Sequence, residues 1–218
     1  VAMTRAVETL TIIDSDTGAI VRFQMPPDFH RAMLGDNFSV NDMQWSPDGS
    51  KLAFVSTSRD HKRAVVRVAD TATGAVRTVF EETEKTHFES RAGWRVLWGT
   101  NEIIWSSQRD NWSQLYLYDL TSGTLKNQIT TGEGPVTQIV KLDEKTRTIW
   151  FTAMGREKGQ DPYFRHLYRV GFDGKGYVSL TPDDGDHSAE LSASGKVIVD
   201  TYSTCEKPPV VVLRDSEG

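Results

Sequence analysis

An all-β chain folded as an incomplete β-propeller of four-stranded antiparallel blades is predicted by three observations. Short strand-like runs rich in β-branched and aromatic residues recur roughly every 50 residues, the period of propeller blades. The turn words recur with them: Val55-Ser-Thr-Ser-Arg-Asp60 returns in form as Ile104-Trp-Ser-Ser-Gln-Arg-Asp110, and Asp70-Thr-Ala-Thr-Gly74 returns as Asp119-Leu-Thr-Ser-Gly123. Helical periodicity is nearly absent, Thr83 to Ala92 being the one stretch that reads as a helical turn or an irregular loop.

The elements follow in order. Thr9 to Asp14 and Ala19 to Met25 flank Asp14-Ser-Asp-Thr-Gly18, whose Asp and Gly suit a tight hairpin turn; this is a partial blade over about 7–27. Pro26-Pro27 ends it. A full blade is expected over 40–82, with strands Asp42–Trp45, Leu52–Ser56, Ala64–Ala69 and Val76–Phe80 and a tight turn at Ser46-Pro-Asp-Gly49. The next, over 94–132, uses Trp94–Leu97, Ile103–Ser106, Gln114–Tyr118 and Leu125–Thr130. The third, over 136–182, uses Val136–Leu142, Thr148–Ala153, His166–Val170 and Tyr177–Leu180, with a longer polar loop from Gly155 to Phe164. The last, over 187–214, shows Ala189–Ser192, Lys196–Tyr202 and Val210–Leu213 without an evident fourth strand. A closed propeller needs at least four blades. The chain therefore reads as one partial propeller domain, about four blades that are the C-terminal half of a larger ring.

Composition narrows the function. The 218 residues are 38% hydrophobic and 25% charged, with a formal net charge of −5 and scattered basic residues, of which Lys62-Arg63 is the densest spot in the first half. A nucleic-acid partner is not expected, since it needs a concentrated basic footprint. No apolar run approaches the roughly 18 residues of a membrane span. Cys205 stands alone, so the fold calls for no internal disulfide. The sequence begins at Val1 and ends on Ser216-Glu-Gly218 just after an apolar strand, and is read as a fragment of a longer protein.

No catalytic residue is expected in the chain. A serine hydrolase places its nucleophile in a G-x-S-x-G elbow, and the nearest look-alike, Ser192-Ala-Ser-Gly195, matches the turn Ser46 to Gly49 instead. The five histidines lack metal-ligand spacing, and Asp183-Asp-Gly-Asp186 lacks the remaining spacing of a calcium loop, so no metal and no cofactor is expected. Glu81-Glu82 follows an outer strand and reads as a solvated loop. Arg59-Asp60, Arg109-Asp110 and Arg156-Glu157 recur at one blade position, which argues for a structural role in turns. The tryptophans sit in or beside strands as packing residues, Trp112 excepted at a loop tip. The candidate substrate-binding residues are Phe88, Glu89 and Arg91, in the loop entering the inner strand at Trp94.

Four groups of residues carry a family resemblance. Trp45-Ser-Pro-Asp-Gly-Ser-Lys-Leu-Ala-Phe54 is similar to many propellers, including those of the translocation protein TolB and of prolyl oligopeptidases. Ser107-Gln-Arg-Asp-Asn-Trp-Ser-Gln-Leu-Tyr-Leu-Tyr-Asp119 with Ile129-Thr-Thr-Gly132 is sharper. Ile149-Trp-Phe-Thr-Ala153 with His166-Leu-Tyr-Arg169 and Asp173-Gly174 follows, and then Gly195-Lys-Val-Ile-Val-Asp-Thr-Tyr-Ser203 with Pro208-Pro209 and Leu213. In this order the set resembles the N-terminal propeller domain of dipeptidyl peptidase IV-like serine peptidases, over roughly residues 40–218.

That resemblance implies an eight-bladed propeller capping an α/β-hydrolase domain with a Ser-Asp-His triad, which would lie downstream of this chain. It implies a peptide substrate, held at its free N-terminus by paired glutamates and shortened by a dipeptide that typically has Pro or Ala second. No glutamate pair precedes Trp45 here, so that pair is expected upstream of Val1. On this reading Phe88 walls the subsite for the second residue, and Arg91 binds substrate carbonyls or carboxylates; the alternative, slightly favoured by the residues alone, is an ordinary inter-blade loop with Glu89 and Arg91 paired at the surface. The partners implied are the peptide and the hydrolase domain of the same parent chain, with homodimerisation by blade-edge pairing as a further expectation. The family implies a periplasmic or secreted protein. The alternative, a stand-alone TolB-like interaction module, fits Trp45 to Phe54 equally well.

Overall fold

The structure, a computed structural model, describes residues 10–26, 42–88 and 92–215. Strand follows strand in an up-and-down order. A hairpin of β1 (Thr11–Ile13) and β2 (Ile20–Arg22) precedes four sheets. The first consists of β3 (Met43–Trp45), β4 (Lys51–Thr57), β5 (Arg63–Asp70) and β6 (Val76–Thr83). The second consists of β7 (Trp94–Leu97), β8 (Glu102–Ser107), β9 (Gln114–Asp119) and β10 (Leu125–Gln128). The third consists of β11 (Val136–Asp143), β12 (Thr148–Met154), β13 (Arg165–Gly171) and β14 (Val178–Ser179). The last has β15 (Asp186–Leu191), β16 (Val197–Ser203) and β17 (Val210–Asp215). In every sheet, sequence neighbours are hydrogen-bonded neighbours, which is the meander of a propeller blade.

The chain divides into two compact units. One holds Val1–Ser90, Trp94–Ile104 and Tyr118–Thr124; the other holds Arg91–Gly93, Trp105–Leu117 and Leu125–Gly218. In the first unit, six of the seven residues of β4 are buried, which explains its unbroken Leu-Ala-Phe-Val run: a blade strand covered on both faces has no polar side to alternate with. Phe23, Leu52, Phe54 and Ala69 form the core there, and Leu10, Ile12 and Met25 of the hairpin region pack on it. Phe80 stacks on Tyr118 with ring centroids 4.2 Å apart. Gln44 exchanges hydrogen bonds with the β7 backbone, its Nε2 donating to Trp94 O (3.0 Å) and its Oε1 accepting from Val96 N (2.9 Å).

The repeated Asp-x-x-x-Gly words have a shared geometry. Asp70 Oδ1 accepts the backbone N–H of Thr73 at 2.8 Å, and Asp119 Oδ1 accepts that of Ser122 at 2.7 Å. Gly74 and Gly123 close the turns at φ +74° and +73°, a left-handed conformation that only glycine adopts at no steric cost. Both glycines also abut a neighbouring strand. A Cβ on Gly74 would lie 2.3 Å from the Arg22 carbonyl oxygen, and one on Gly123 would lie 1.8 Å from that of Val79. The word thus encodes a turn and a docking point between successive blades.

In the second unit the core gathers Trp150, Leu167, Leu180 and Ile198, joining the third sheet to the last. Asn127 Nδ2 donates to Phe172 O (2.9 Å), and Gly174 approaches Gln128 O and Ile129 O, the same outer-strand docking in this unit.

One expectation needs correction. Strand β6 runs on to Thr83, so Glu81 and Glu82 lie within the outer strand rather than in a solvated loop after it. Glu81 is ion-paired with Arg63 on β5, and Glu82 is buried, because the β5–β6 ladder continues to the Arg63–Thr83 pair. The described part of the Thr83–Ala92 stretch, residues 84–88 with Ala92, carries no helical turn.

Candidate functional site

Phe88 is buried, and its backbone N–H donates to the carbonyl of His61 in the β4–β5 turn. The approach to β7 is thereby pinned to the preceding blade. His61 itself sits at φ +55° and its ring lies 5.3 Å from that of His87. Glu89 and Arg91, the other two candidates, lie outside the described residues.

The recurring Arg-acid pairs are turn components, each used differently. Asp60 accepts from the Ser58 hydroxyl (2.5 Å) and from Lys62 N (3.3 Å), closing the β4–β5 turn. Asp110 accepts from Tyr116 Oη (2.7 Å) and Gln128 Nε2 (2.8 Å), while the Arg109 guanidinium lies 4.4 Å from the centre of the Tyr116 ring. The αL residues of these two turns, His61 and Asn111, occupy the same place.

The third pair builds a cavity. Arg156 reaches from the β12–β13 loop to the β10–β11 loop, donating to Thr131 O (2.9 Å), Gln114 Oε1 (2.9 Å) and Gly134 O (3.3 Å). Gln114 is buried, and its Oε1 also accepts from the Thr130 hydroxyl (2.7 Å). Glu157 accepts from Tyr168 Oη and Ser179 Oγ, both at 3.0 Å. Burial pushes the Tyr168 phenol far up and the Tyr177 phenol up, so both remain neutral donors. Tyr177 stacks on Tyr168 with centroids 5.3 Å apart and leaves nearly half of its surface, 46%, open. Around this frame lies a cavity of about 620 Å³, lined among others by Glu133, Arg156, Glu157, Lys158 and Tyr177. An aromatic platform beside charges of both signs suits a polar chain such as a peptide.

Ser192, the hydrolase look-alike, is a turn residue: its hydroxyl accepts from Val197 N (3.1 Å) as that of Ser46 accepts from Lys51 N (2.9 Å). Gly195 and Gly49 share the same left-handed φ, +72° and +71°.

The family profile for the dipeptidyl peptidase IV (DPP IV) N-terminal region matches residues 4–209. The chain belongs to this family. Its fold agrees with solved relatives. A putative dipeptidyl aminopeptidase IV from Bacteroides ovatus superposes with a TM-score of 0.74 at 23% identity, over 95% of this chain and 31% of that one. Dipeptidyl peptidase 4 from Porphyromonas gingivalis superposes with a TM-score of 0.77 at 19% identity, over 96% of this chain and 28% of that one. Among curated sequences, dipeptidyl peptidase 4 of Arthroderma otae is 34% identical over 98 residues, 44% of this chain and 12% of that protein. Dipeptidyl peptidase 4 of Trichophyton rubrum is 31% identical over the same length. The match thus covers about an eighth of the length of these curated relatives. The fold of the DPP IV N-terminal region chain is all-β, with four-stranded antiparallel blades forming part of a propeller.

The Arg156 frame was missed as a site because Arg-Glu inside a polar loop looks like its two predecessors. The one available signal was the length of the Gly155–Phe164 insertion. Arg156→Ala is expected to cost about 2 kcal/mol, since it strips hydrogen bonds from the Thr131 and Gly134 carbonyls and from buried Gln114. Urea unfolding of the variant checks it, and a loss within a few tenths of a kcal/mol would show the contacts to be idle.

Proposed function

We propose that this DPP IV N-terminal region chain is the non-catalytic, substrate-gating propeller of a serine exopeptidase that releases N-terminal dipeptides, typically with Pro or Ala second. The observation that carries the reading is the family match, which extends over nearly every blade of the chain. The parent's α/β-hydrolase domain supplies the nucleophile, and the propeller's loops select what reaches it. Glu89 and Arg91 are the candidate substrate contacts, and buried Phe88 anchors the start of their segment through its bond to His61. The parent works in the periplasm or outside the cell.

The test uses the whole native reading frame and this chain in parallel. Each is given a chromogenic dipeptide with a free amine and proline second, and the same compound acetylated at the amine. The full-length protein is expected to cleave only the free-amine form, and the chain alone to cleave neither. A full-length protein inactive on both, or a chain active by itself, would overturn the proposal.

A further inference from the structure

The third and last sheets meet through a buried pair of histidines. His166 on β13 is 1% exposed, and His187 on β15 is 3% exposed. Their rings lie 4.8 Å apart, and the far face of His187 stacks on Tyr202 at 4.9 Å. The hydrogen-bond pattern sets the two rings apart. His166 Nδ1 is 2.6 Å from the Thr181 carbonyl, which only accepts, so this nitrogen carries the proton. His166 Nε2 is buried without a hydrogen-bond partner among the described residues. His187 faces an acceptor at each nitrogen: Asp200 at 2.9 and 3.0 Å from Nδ1, and the Asp183 carbonyl at 2.8 Å from Nε2. Both nitrogens of His187 therefore have a partner, whereas His166 has one at Nδ1 alone.

We propose that this junction is an acid-sensitive latch, in which protonation of His166 beside the clamped His187 loosens the last sheet from the third. An imidazolium at His166 would be buried, with no acceptor for its new proton at Nε2. Desolvation opposes it.

The surroundings offer little relief. On its own strand Arg165 flanks His166 and is bound to Asp186 of β15, with Nε 2.9 Å and Nη2 2.6 Å from the carboxylate. From the β12–β13 loop Glu157 is engaged by Tyr168 and Ser179, and Arg156 lies 5.9 Å from the centre of the Tyr168 ring. From β16 and β17, Asp200 is shared between His187 and Arg214, whose Nε is 2.9 Å away, and Arg214 also pairs with Asp183. Burial is the main cause holding the His166 imidazole below its usual value, with His187 adding to it and the Thr181 carbonyl opposing it.

The sign follows by linkage. A lowered histidine binds its proton less readily folded than unfolded, so stability is lost as pH falls through the unfolded value of about 6.5. Asp186 and Asp200 are held below the usual carboxylate range, the first by Arg165, the second by His187 and Arg214 against the opposing effect of burial. Their contributions are lost only below about pH 4. Between pH 7.5 and 5 the change therefore comes from His166 and not from these two carboxylates.

Hydrogen–deuterium exchange of the full chain at pH 7.5 and 5.2, corrected for intrinsic rates, tests the latch. Protection over Asp186–Leu191 and Val197–Ser203 is expected to fall several-fold on acidification, to a ceiling of about twentyfold set by the distance from pH 5.2 to the unfolded value of about 6.5, while Lys51–Thr57 changes little. In His166→Asn, whose amide can still donate to the Thr181 carbonyl, the acid-induced loss should vanish. Equal loss in both units, or an unchanged loss in the variant, would overturn the proposal. Should the variant not fold, an NMR titration of His166 in the unaltered chain decides: protonation below pH 6 supports the latch, and protonation at or above pH 6.5 refutes it.

Discussion

Gly123→Ala is expected to destabilise the first unit by about 3–5 kcal/mol, whereas Gly49→Ala should cost only about 1 kcal/mol. Both glycines are left-handed, at φ +73° and +71°, so both replacements carry the strain of an L-residue in that region. What separates them is the neighbour. Nothing lies within 4 Å of a Cβ built on Gly49, whereas one on Gly123 would sit 1.8 Å from the Val79 carbonyl oxygen and 2.8 Å from its carbon. Backbone cannot swing aside as a side chain can. Turn 119–123 would have to lift off β6, loosening the Arg77 hydrogen bonds to Leu120 O (3.0 Å) and Thr121 O (3.3 Å) and the Phe80–Tyr118 stack. Urea unfolding of the two variants measures the difference. Equal losses would mean that the turn's conformation matters and its docking does not.

This pair of glycines also marks how far the sequence could be read. Strand order was legible because each blade strand is either a continuous buried run, as in β4, or a β-branched run between turn words. Trp94–Leu97 was located to the residue. The left-handed turns at Gly74 and Gly123 were legible too, since Asp and Gly at that spacing suit a turn, and those at Gly49 and Gly195 were legible from their matching Ser-x-x-Gly words. That three of the blades dock through such turns was not, because the approach of Gly123 to Val79 joins residues with no common pattern. The strand end at Thr83 was misjudged for a related reason. Two adjacent glutamates look like a loop, yet Arg63, diagonally across the ladder and two residues from Glu81's partner Val65, pairs with Glu81 while the strand pairing continues to Thr83.

The candidate site divides in the same way. Phe88 was singled out from its place before an inner strand, and its backbone N–H is bound to the His61 carbonyl of the preceding turn. The Arg156 frame depends on Gln114, Thr131 and Gly134, which come from two other elements, so no local reading could assemble it. The acid cluster at Asp183 to Asp186 suggested at most an empty turn. In the fold its side chains are divided between Arg214 and Arg165, a use that only long-range pairing reveals.

Asp200→Ala is expected to cost about 3–5 kcal/mol at pH 7, the range for removing one partner from a buried charge cluster. Asp200 is fully buried on β16 and binds His187 from β15 and Arg214 from β17, so a single carboxylate ties together all three strands of the last sheet. Its loss leaves the His187 ring facing an empty pocket at Nδ1, and leaves Arg214 with only Asp183, itself half exposed. The Arg214 guanidinium would then lie beside the buried last sheet without the carboxylate that binds it through Nε. Arg214→Met in the same background should recover part of the loss, because the unpaired guanidinium is what is costly, and a double-mutant cycle on urea midpoints measures that coupling. The pH dependence gives an independent reading. Because the Asp200 carboxyl is held low in the fold, its contribution is full above about pH 4 and lost as pH falls through the folded value, so the variant should lose less stability than the unaltered chain on going from pH 5 to pH 2. A loss below 1 kcal/mol at pH 7, with unaltered acid sensitivity, would show that the apolar contacts of Ile198 and Trp150 hold the last sheet without the charge cluster.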